Sequence, residues 1–235
     1  MAEEIIEQGY RELADTILEH NPGVDLGRVR AAFELADRAH SGQKRKAGTP
    51  YVTHCVAAAQ ICAEMGLDED SIVAALLHDC IEDTAITHED IARQFGAEVA
   101  DIVEGVTKLT RVQFTSREDE QMENLRKMLM AMAKDIRVIL IKIADRLHNM
   151  RTMEYMVAQK QLEKSLETME IYAPIAHRLG LQKVKWELED LSLKYLDPDG
   201  YREIITYLDS KADVLNEFMS DVKKKITDRL TEYSI

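Results

Sequence analysis

The 235-residue chain has little of what builds turns, sheets and cross-links. Glycine (10 residues), proline (4) and aromatic residues (6%) are scarce, and the abundant Leu, Ala, Glu, Lys and Met favour helices. The three cysteines, at positions 55, 62 and 80, have no Cys-x-x-Cys spacing, so neither a zinc finger nor a disulfide framework is implied. We therefore expect an all-α, cytoplasmic protein with reduced thiols, and we interpret the cysteines as buried packing groups.

Long apolar runs and an excess of positive charge are also missing. No segment approaches the ~20 apolar residues that span a bilayer, and the N-terminus is acidic from residue 3, unlike a secretory signal. The 30 Lys and Arg against 43 Asp and Glu give a net charge of −13, so we expect no DNA and no membrane partner. The net negative charge does not exclude an anionic small-molecule ligand, because a bound metal or a local basic patch makes the electrostatic potential positive at one site.

Hydrophobic periodicity and end signals predict helices along most of the chain. The predicted helices cover about residues 5–20, 25–40, 53–66, 71–84, 89–95, 122–135 and 136–150, and a charged helix begins at Asp197-Pro198. The segment 136–150 is apolar on most faces, which predicts a buried central helix, with a buried strand as the alternative. Residues 41–54, with three consecutive cations, and residues 109–121 are predicted loops, and we expect the second to be mobile and to order with substrate.

Ionisable side chains follow two apolar runs in the sequence. In the string LLHDCIEDT, the spacing places His78 and Glu82, and likewise Asp79 and Asp83, four residues apart on one predicted helix. Asp145 follows the apolar run VILIKIA. Buried ionisable groups need a partner or a metal, because isolated burial of charge costs free energy. The sequence therefore predicts that polar groups converge on one interior site.

Two imidazoles and two carboxylates form the candidate metal site, which comprises His54, His78, Asp79 and Asp145. Such a mixed set suits Mn²⁺, Fe²⁺ or Zn²⁺ better than Ca²⁺. Four protein ligands leave a six-coordinate ion open to water and substrate, as a catalytic metal requires. Glu82 and Asp83 lie one turn further on, where they can take a proton from water. Taken singly, each residue has a structural alternative, such as a capping histidine or a salt bridge between Asp145 and Arg146.

Longer strings of the sequence resemble the hydrolase (HD) domain of RelA/SpoT-type bifunctional (p)ppGpp synthetases/hydrolases. In chain order they are GTPYVTH, AALLHDCIEDT, VEGVTKLT, IKIADRLHNMRT and YAPIAHRLGLQKVKWELEDLSLKYL. The resemblance covers about residues 26–201 and implies the all-α helical bundle of the HD-domain metal phosphohydrolases. It also implies a guanosine-3′,5′-bis(diphosphate) 3′-pyrophosphohydrolase, which hydrolyses the stringent-response alarmone (p)ppGpp to GDP or GTP and pyrophosphate.

The resemblance further implies roles for individual residues. The implied Mn²⁺ ligands are His54, His78, Asp79 and Asp145. The implied acid pair that activates water is Glu82 and Asp83, and the implied nucleotide contacts are Arg45, Lys46, Asn149 and Thr152. Ala47 and Cys55 depart from the family, in which serine and proline are common at these positions, but neither departure removes a ligand. The roles of His148 and Arg151 stay open.

The C-terminal part resembles a connector in the long members of this family. We expect residues 1–196 to form the HD-type hydrolase domain and residues 197–235 a helical connector toward a synthetase domain that this chain lacks. Synthetase and regulatory domains are then expected partners in a longer protein. Two alternatives remain open: a catalytically resting or regulatory HD module, and an HD phosphohydrolase of another nucleotide. The ppGpp or pppGpp preference and the oligomeric state are not predicted.

Overall fold

The structure, a computed structural model, describes residues 2–110, 130 and 134–232, and most of these residues are helical. No β-strand occurs within these ranges, where an isolated bridge pairs Lys44 with Pro50. The all-α prediction is therefore confirmed. None of the helices described is both long and apolar enough to cross a membrane.

The helices fall into two groups along the chain. The first group comprises α1 (Ala2–His20), α2 (Leu26–Ala39), α3 (Val52–Glu64), α4 (Glu69–Leu77), α5 (Cys80–Asp83), α6 (His88–Phe95) and α7 (Ala97–Thr110). The second comprises α8 (Ile136–Arg151), a 3-10 turn (Met153–Tyr155), α9 (Ala158–Glu167), a π-helical turn (Thr168–Tyr172), α10 (Ala173–Arg178), α11 (Gln182–Leu196) and α12 (Pro198–Glu232).

Several helix ends lie where the sequence signals place them. The Asp68 carboxylate accepts the Ser71 N–H at 2.9 Å and caps α4. Thr87 and Asp90 form a reciprocal capping box at the start of α6. Gly66 follows α3 with φ of 72°, a left-handed conformation that glycine adopts without a Cβ penalty. Local sequence therefore determines where these helices start and stop.

Helix α8 lies at the centre of the bundle, in contact with α3, α4, α7 and α11. Its residues Ile139, Ile141 and Ile143 are fully buried. The prediction of a buried central helix is confirmed, and the strand alternative is wrong. Because α3 and α4 also pack against α8, the polar residues that these three helices carry are directed into a shared interior.

The predicted continuous helix over residues 71–84 is wrong. Helix α4 ends at Leu77 and α5 begins at Cys80, so His78 and Asp79 lie in a turn between them. A continuous helix would separate successive side chains by about 100°. The break instead brings His78 Nε2 within 3.1 Å of Asp79 Oδ2.

Two further predictions fall largely outside the described residues. Of the predicted mobile loop at residues 109–121, Leu109 and Thr110 are described, and they belong to α7. Of the predicted helix at residues 122–135, positions 130, 134 and 135 are described, and Asp135 caps α8 by accepting the Arg137 N–H at 2.9 Å. The expected ordering of the loop with substrate therefore stays a prediction.

The packing of α8 predicts unequal effects of two identical substitutions. Ile141→Ala should lower the free energy of unfolding by about 2 to 5 kcal/mol, because it leaves a cavity in the core. The matched control Ile136→Ala lies in the same helix, where Ile136 is 46% exposed, and it should cost less than about 1 kcal/mol. Denaturant titration measures both values. Equal losses would contradict the central position of α8.

Candidate metal centre

The four predicted metal ligands come together from three parts of the fold. His54 lies in the first turn of α3, His78 and Asp79 in the α4–α5 turn, and Asp145 in α8. Ligand atoms of His54, His78 and Asp145 all lie within 4.8 Å of one another. His54 Nε2 is 3.2 Å from Asp145 Oδ1 and 3.7 Å from Asp79 Oδ2. These separations suit atoms that share one ion, because ligands about 2.1 Å from a common metal stand roughly 3 Å apart.

Both carboxylates of this centre are held in the ionised form. Burial opposes ionisation of Asp145, but the Lys142 ammonium and the two imidazoles outweigh it and hold the pKa of Asp145 well below its usual range. The pKa of Asp79 is also below its usual range, because His78 outweighs the effect of burial. Metal ligation requires deprotonated carboxylates, so both side chains have the charge that a cation needs.

His78 has a ring nitrogen that fits a cation. Its Nδ1 donates to the Ala75 carbonyl oxygen at 2.7 Å, and its buried Nε2 faces Asp79 Oδ2 at 3.1 Å. Burial would lower the pKa of His78, but Asp79 and Asp145 raise it to about 9. Metal coordination at Nε2 would replace the proton that the two carboxylates favour there.

His148, whose role the sequence leaves open, lies against the first ligand histidine. Its Nδ1 is 2.7 Å from Nδ1 of His54, so one of the two nitrogens must carry a proton. Burial, His54 and Arg45 lower the pKa of His148 to about 3. A neutral His148 can accept the proton of His54 Nδ1, which leaves His54 Nε2 free to bind a metal.

Tyr51 and Lys142 also belong to the centre, and sequence reasoning missed both. The Tyr51 hydroxyl donates to Asp79 Oδ2 at 2.8 Å and lies 3.2 Å from Asp83 Oδ2. Burial raises the pKa of Tyr51, which keeps the hydroxyl protonated as a donor. Lys142 Nζ lies 2.6 Å from Asp145 Oδ2. A lysine inside an apolar run, three residues before a predicted ligand, is a signal that would have revealed this pair.

The predicted acid pair lies on α5, next to the centre. Asp83 is exposed and is linked to Asp79 through the Tyr51 hydroxyl. Glu82 is partly buried in the same short helix. The structure therefore brings Asp83 to the edge of the ligand set, where solvent can reach it.

A cavity of about 730 Å³ adjoins the centre, within the range of small-molecule sites. Asp145 lines this cavity, and so do all four predicted nucleotide contacts, which are Arg45, Lys46, Asn149 and Thr152. Arg45 Nη2 donates to Asn149 Oδ1 at 2.7 Å, and Asn149 Nδ2 donates to Asp145 Oδ1. Asn149 thus connects a cation of the pocket to a carboxylate of the centre.

The remaining wall of the cavity combines apolar surface with further positive charge. Met153, Met156 and Ile171 supply the apolar part, and Lys44 adds another cation beside Arg45 and Lys46. Cations favour phosphate groups, and an apolar wall favours a ring system. The cavity is therefore suited to an anionic ligand that also carries an aromatic group.

Comparisons with known proteins agree with this site. The HD domain family model matches residues 32–182. A probable GTP pyrophosphokinase of Mycobacterium leprae is 48% identical over 212 residues, which cover 90% of this chain and 27% of that protein. The bifunctional (p)ppGpp synthase/hydrolase SpoT of Escherichia coli is 45% identical over 226 residues, which cover 96% of this chain and 32% of that protein.

A solved structure is also similar. It is of a metazoan orthologue of SpoT that hydrolyses ppGpp, with 28% identity, a TM-score of 0.50, and coverage of 72% of this chain and 91% of that chain. The chain spans only about a quarter to a third of the length of the curated relatives described above.

These matches confirm the resemblance to the HD domain of RelA/SpoT-type proteins that the five sequence strings indicate. The family model extends over more than half of the chain and includes all four candidate ligands. The chain therefore belongs to the HD domain family.

Proposed function

We propose that this chain is a guanosine-3′,5′-bis(diphosphate) 3′-pyrophosphohydrolase that depends on Mn²⁺. The observation that carries the proposal is the position of the His/Asp cluster at one end of a cationic cavity, with Asp145 lining both. The metazoan relative hydrolyses ppGpp, which supports the same substrate.

Four side chains hold the metal in this proposal: His54, His78, Asp79 and Asp145. A bound Mn²⁺ supplies a water of lowered pKa and neutralises charge on the phosphoryl oxygens. Tyr51 fixes the Asp79 carboxylate through its 2.8 Å hydrogen bond. Asp83, whose Oδ2 lies 3.2 Å from the same hydroxyl, accepts a proton from the attacking water, together with Glu82.

The cavity binds the nucleotide so that its 3′-pyrophosphate faces the centre. Arg45 and Lys46 neutralise phosphate charge, which an acidic protein of net charge −13 must do locally. Asn149 and Thr152 contact the nucleoside. Water adds to the phosphorus bound to the 3′-oxygen, and the bond from that phosphorus to the 3′-oxygen breaks. The 3′-oxygen takes up the proton that the water gave to the acid pair, so that pyrophosphate and GDP or GTP are released.

We also propose that residues 1–196 form the hydrolase domain and residues 197–235 a connector toward synthetase and regulatory domains. The start of α12 at Pro198 supports this boundary. The relatives named above are longer proteins, three to four times the length that the chain matches, which supports such partners.

Turnover of ppGpp with Mn²⁺ tests the proposed activity directly. We expect release of GDP and pyrophosphate that a chelator abolishes and added Mn²⁺ restores. A panel of other nucleotides separates this activity from that of an HD phosphohydrolase with a different substrate. Tight binding of Mn²⁺ and ppGpp without turnover would instead indicate a resting or regulatory module.

Replacement of one ligand tests the metal site. Asp79→Asn keeps the shape of the side chain but removes the charge, and we expect turnover to fall more than about 100-fold, with weaker Mn²⁺ binding. The matched control is Asp199→Asn, at a carboxylate that is 88% exposed, and it should leave turnover unchanged. Steady-state assays and electron paramagnetic resonance of free Mn²⁺ measure both effects. Undiminished turnover in Asp79→Asn would refute the ligand assignment.

Removal of a pocket cation tests the substrate contacts. Arg45→Ala should raise KM for ppGpp about tenfold or more, because a hydrogen bond to a charged group contributes about 1.5 to 3 kcal/mol. The control Arg93→Ala removes a cation of α6 that is 78% exposed and does not line the cavity, and it should leave KM unchanged. Steady-state kinetics distinguish the two variants, and an equal rise in both would indicate a general charge effect.

A pair of variants tests the proposed positioning of His54 by His148. His148→Leu removes the acceptor for His54 Nδ1 and should weaken Mn²⁺ binding by about 10- to 100-fold. His148→Asn offers a side-chain oxygen near the same place and should restore most of the affinity. Binding titrations compare the two proteins, and equal loss in both would mean that His148 acts only by packing.

A further inference from the structure

A separate group of potential metal ligands lies on helices α6 and α7. Ligand atoms of His88, Asp101 and Glu104 are all within 4.8 Å of one another. His88 is the first residue of α6, and the two carboxylates lie three residues apart on α7. None of these three residues lines the cavity or belongs to the candidate metal centre. The group therefore shares no residue with the site described above.

Regular helical backbone positions all three side chains. The capping box of Thr87 and Asp90 fixes the start of α6, where His88 lies. Helix α6 packs against α7, which carries Asp101 and Glu104 on one side, because residues i and i+3 of a helix are neighbours. Metal sites of helical bundles use the same i, i+3 spacing for paired ligands. The group thus joins two packed helices through one imidazole and two carboxylates.

The closest contact within the group already has the spacing of two ligands of one ion. His88 Nε2 is 2.8 Å from Asp101 Oδ1, and ligands about 2.1 Å from a common metal stand roughly 3 Å apart. An ionised carboxylate can only accept, so Nε2 carries the proton of this hydrogen bond. When a metal binds, the proton passes from Nε2 to solvent, a metal–nitrogen bond forms, and no oxidation state changes.

One cation lies next to the group. Lys108 Nζ is 2.8 Å from Glu104 Oε2, and the lysine side chain is 68% exposed. Because like charges repel, the ammonium opposes a metal ion there without removing a ligand. An exposed lysine can move into solvent when a divalent cation arrives. Lys108 is therefore expected to lower the affinity of the group for a metal.

We propose that His88, Asp101 and Glu104 form a second divalent-cation site, which binds Zn²⁺ between α6 and α7. Imidazole nitrogen and carboxylate oxygen are both ordinary Zn²⁺ ligands, and three protein ligands leave one position of a tetrahedral ion for water. The same donor set binds Zn²⁺ more tightly than Mn²⁺. This inference does not rest on the proposed function.

Equilibrium dialysis of the whole chain against Zn²⁺ tests the site by counting bound ions. We expect His88→Ala and Asp101→Asn each to bind one Zn²⁺ fewer per chain than the wild-type protein. The matched control is His20→Ala, because His20 is an exposed histidine outside the groups of potential ligands. In Asp79→Asn, which impairs the candidate centre, the ion that depends on His88 should remain.

A substitution at the neighbouring cation gives a second readout. Lys108→Met should strengthen Zn²⁺ binding by up to about fivefold, the size of a surface charge interaction. It should have no such effect in the His88→Ala background. Zinc titrations against a competing chelator measure both affinities.

Equal zinc counts in the wild-type protein, His88→Ala and Asp101→Asn would overturn the proposal. An equal loss in His20→Ala would overturn it as well, because it would indicate non-specific binding to surface histidines. Turnover of ppGpp with Mn²⁺ should be the same in His88→Ala as in the wild-type protein. Lack of turnover in both, with the zinc difference preserved, would contradict the proposed function and support the second site.

Discussion

The site depends on keeping two carboxylates ionised in an interior largely closed to water. Asp145 is 6% exposed and the side chain of Asp79 is 17% exposed. Removing a partner from such a buried charge costs about 3 to 5 kcal/mol. Lys142, at 2.6 Å from Asp145, and the His78 imidazole, whose pKa the two carboxylates raise, supply the compensating charge. The packing of α3, α4 and α8 is therefore constrained by electrostatics as well as by apolar contact.

The need to stabilise buried charge also accounts for the hydrogen bonds that link the polar residues around the centre. Tyr51 donates to Asp79, His148 lies against His54, and Asn149 donates to Asp145. Each of these partners restricts the rotation of a candidate ligand before any ion binds. A centre whose ligands are already oriented loses less conformational entropy when a metal arrives.

Much of this arrangement could be predicted from the sequence, because caps and apolar runs are local signals. Asp68 and Thr87 begin helices as expected, and the ligand residues lie at the ends of apolar runs. The turn at residues 78–79 could not be predicted, because no glycine or proline marks it in the sequence. The role of Tyr51 could not be predicted either. Tyr51 lies just before the first residue of α3, so helical periodicity does not predict the direction of its side chain.

Helix α8 aligns the metal centre with the cavity. Asp145 and Asn149 lie four residues apart on one face of the helix, and Thr152 is the capping residue that follows its last residue. A shift of α8 would therefore move a candidate metal ligand and two candidate nucleotide contacts together. In this structure Arg45 is held by Asn149 at 2.7 Å, so an incoming phosphate must compete with an amide for the guanidinium. Because that amide also donates to Asp145, the proposed function implies that a phosphate bound to Arg45 would change the hydrogen bonding of a candidate metal ligand.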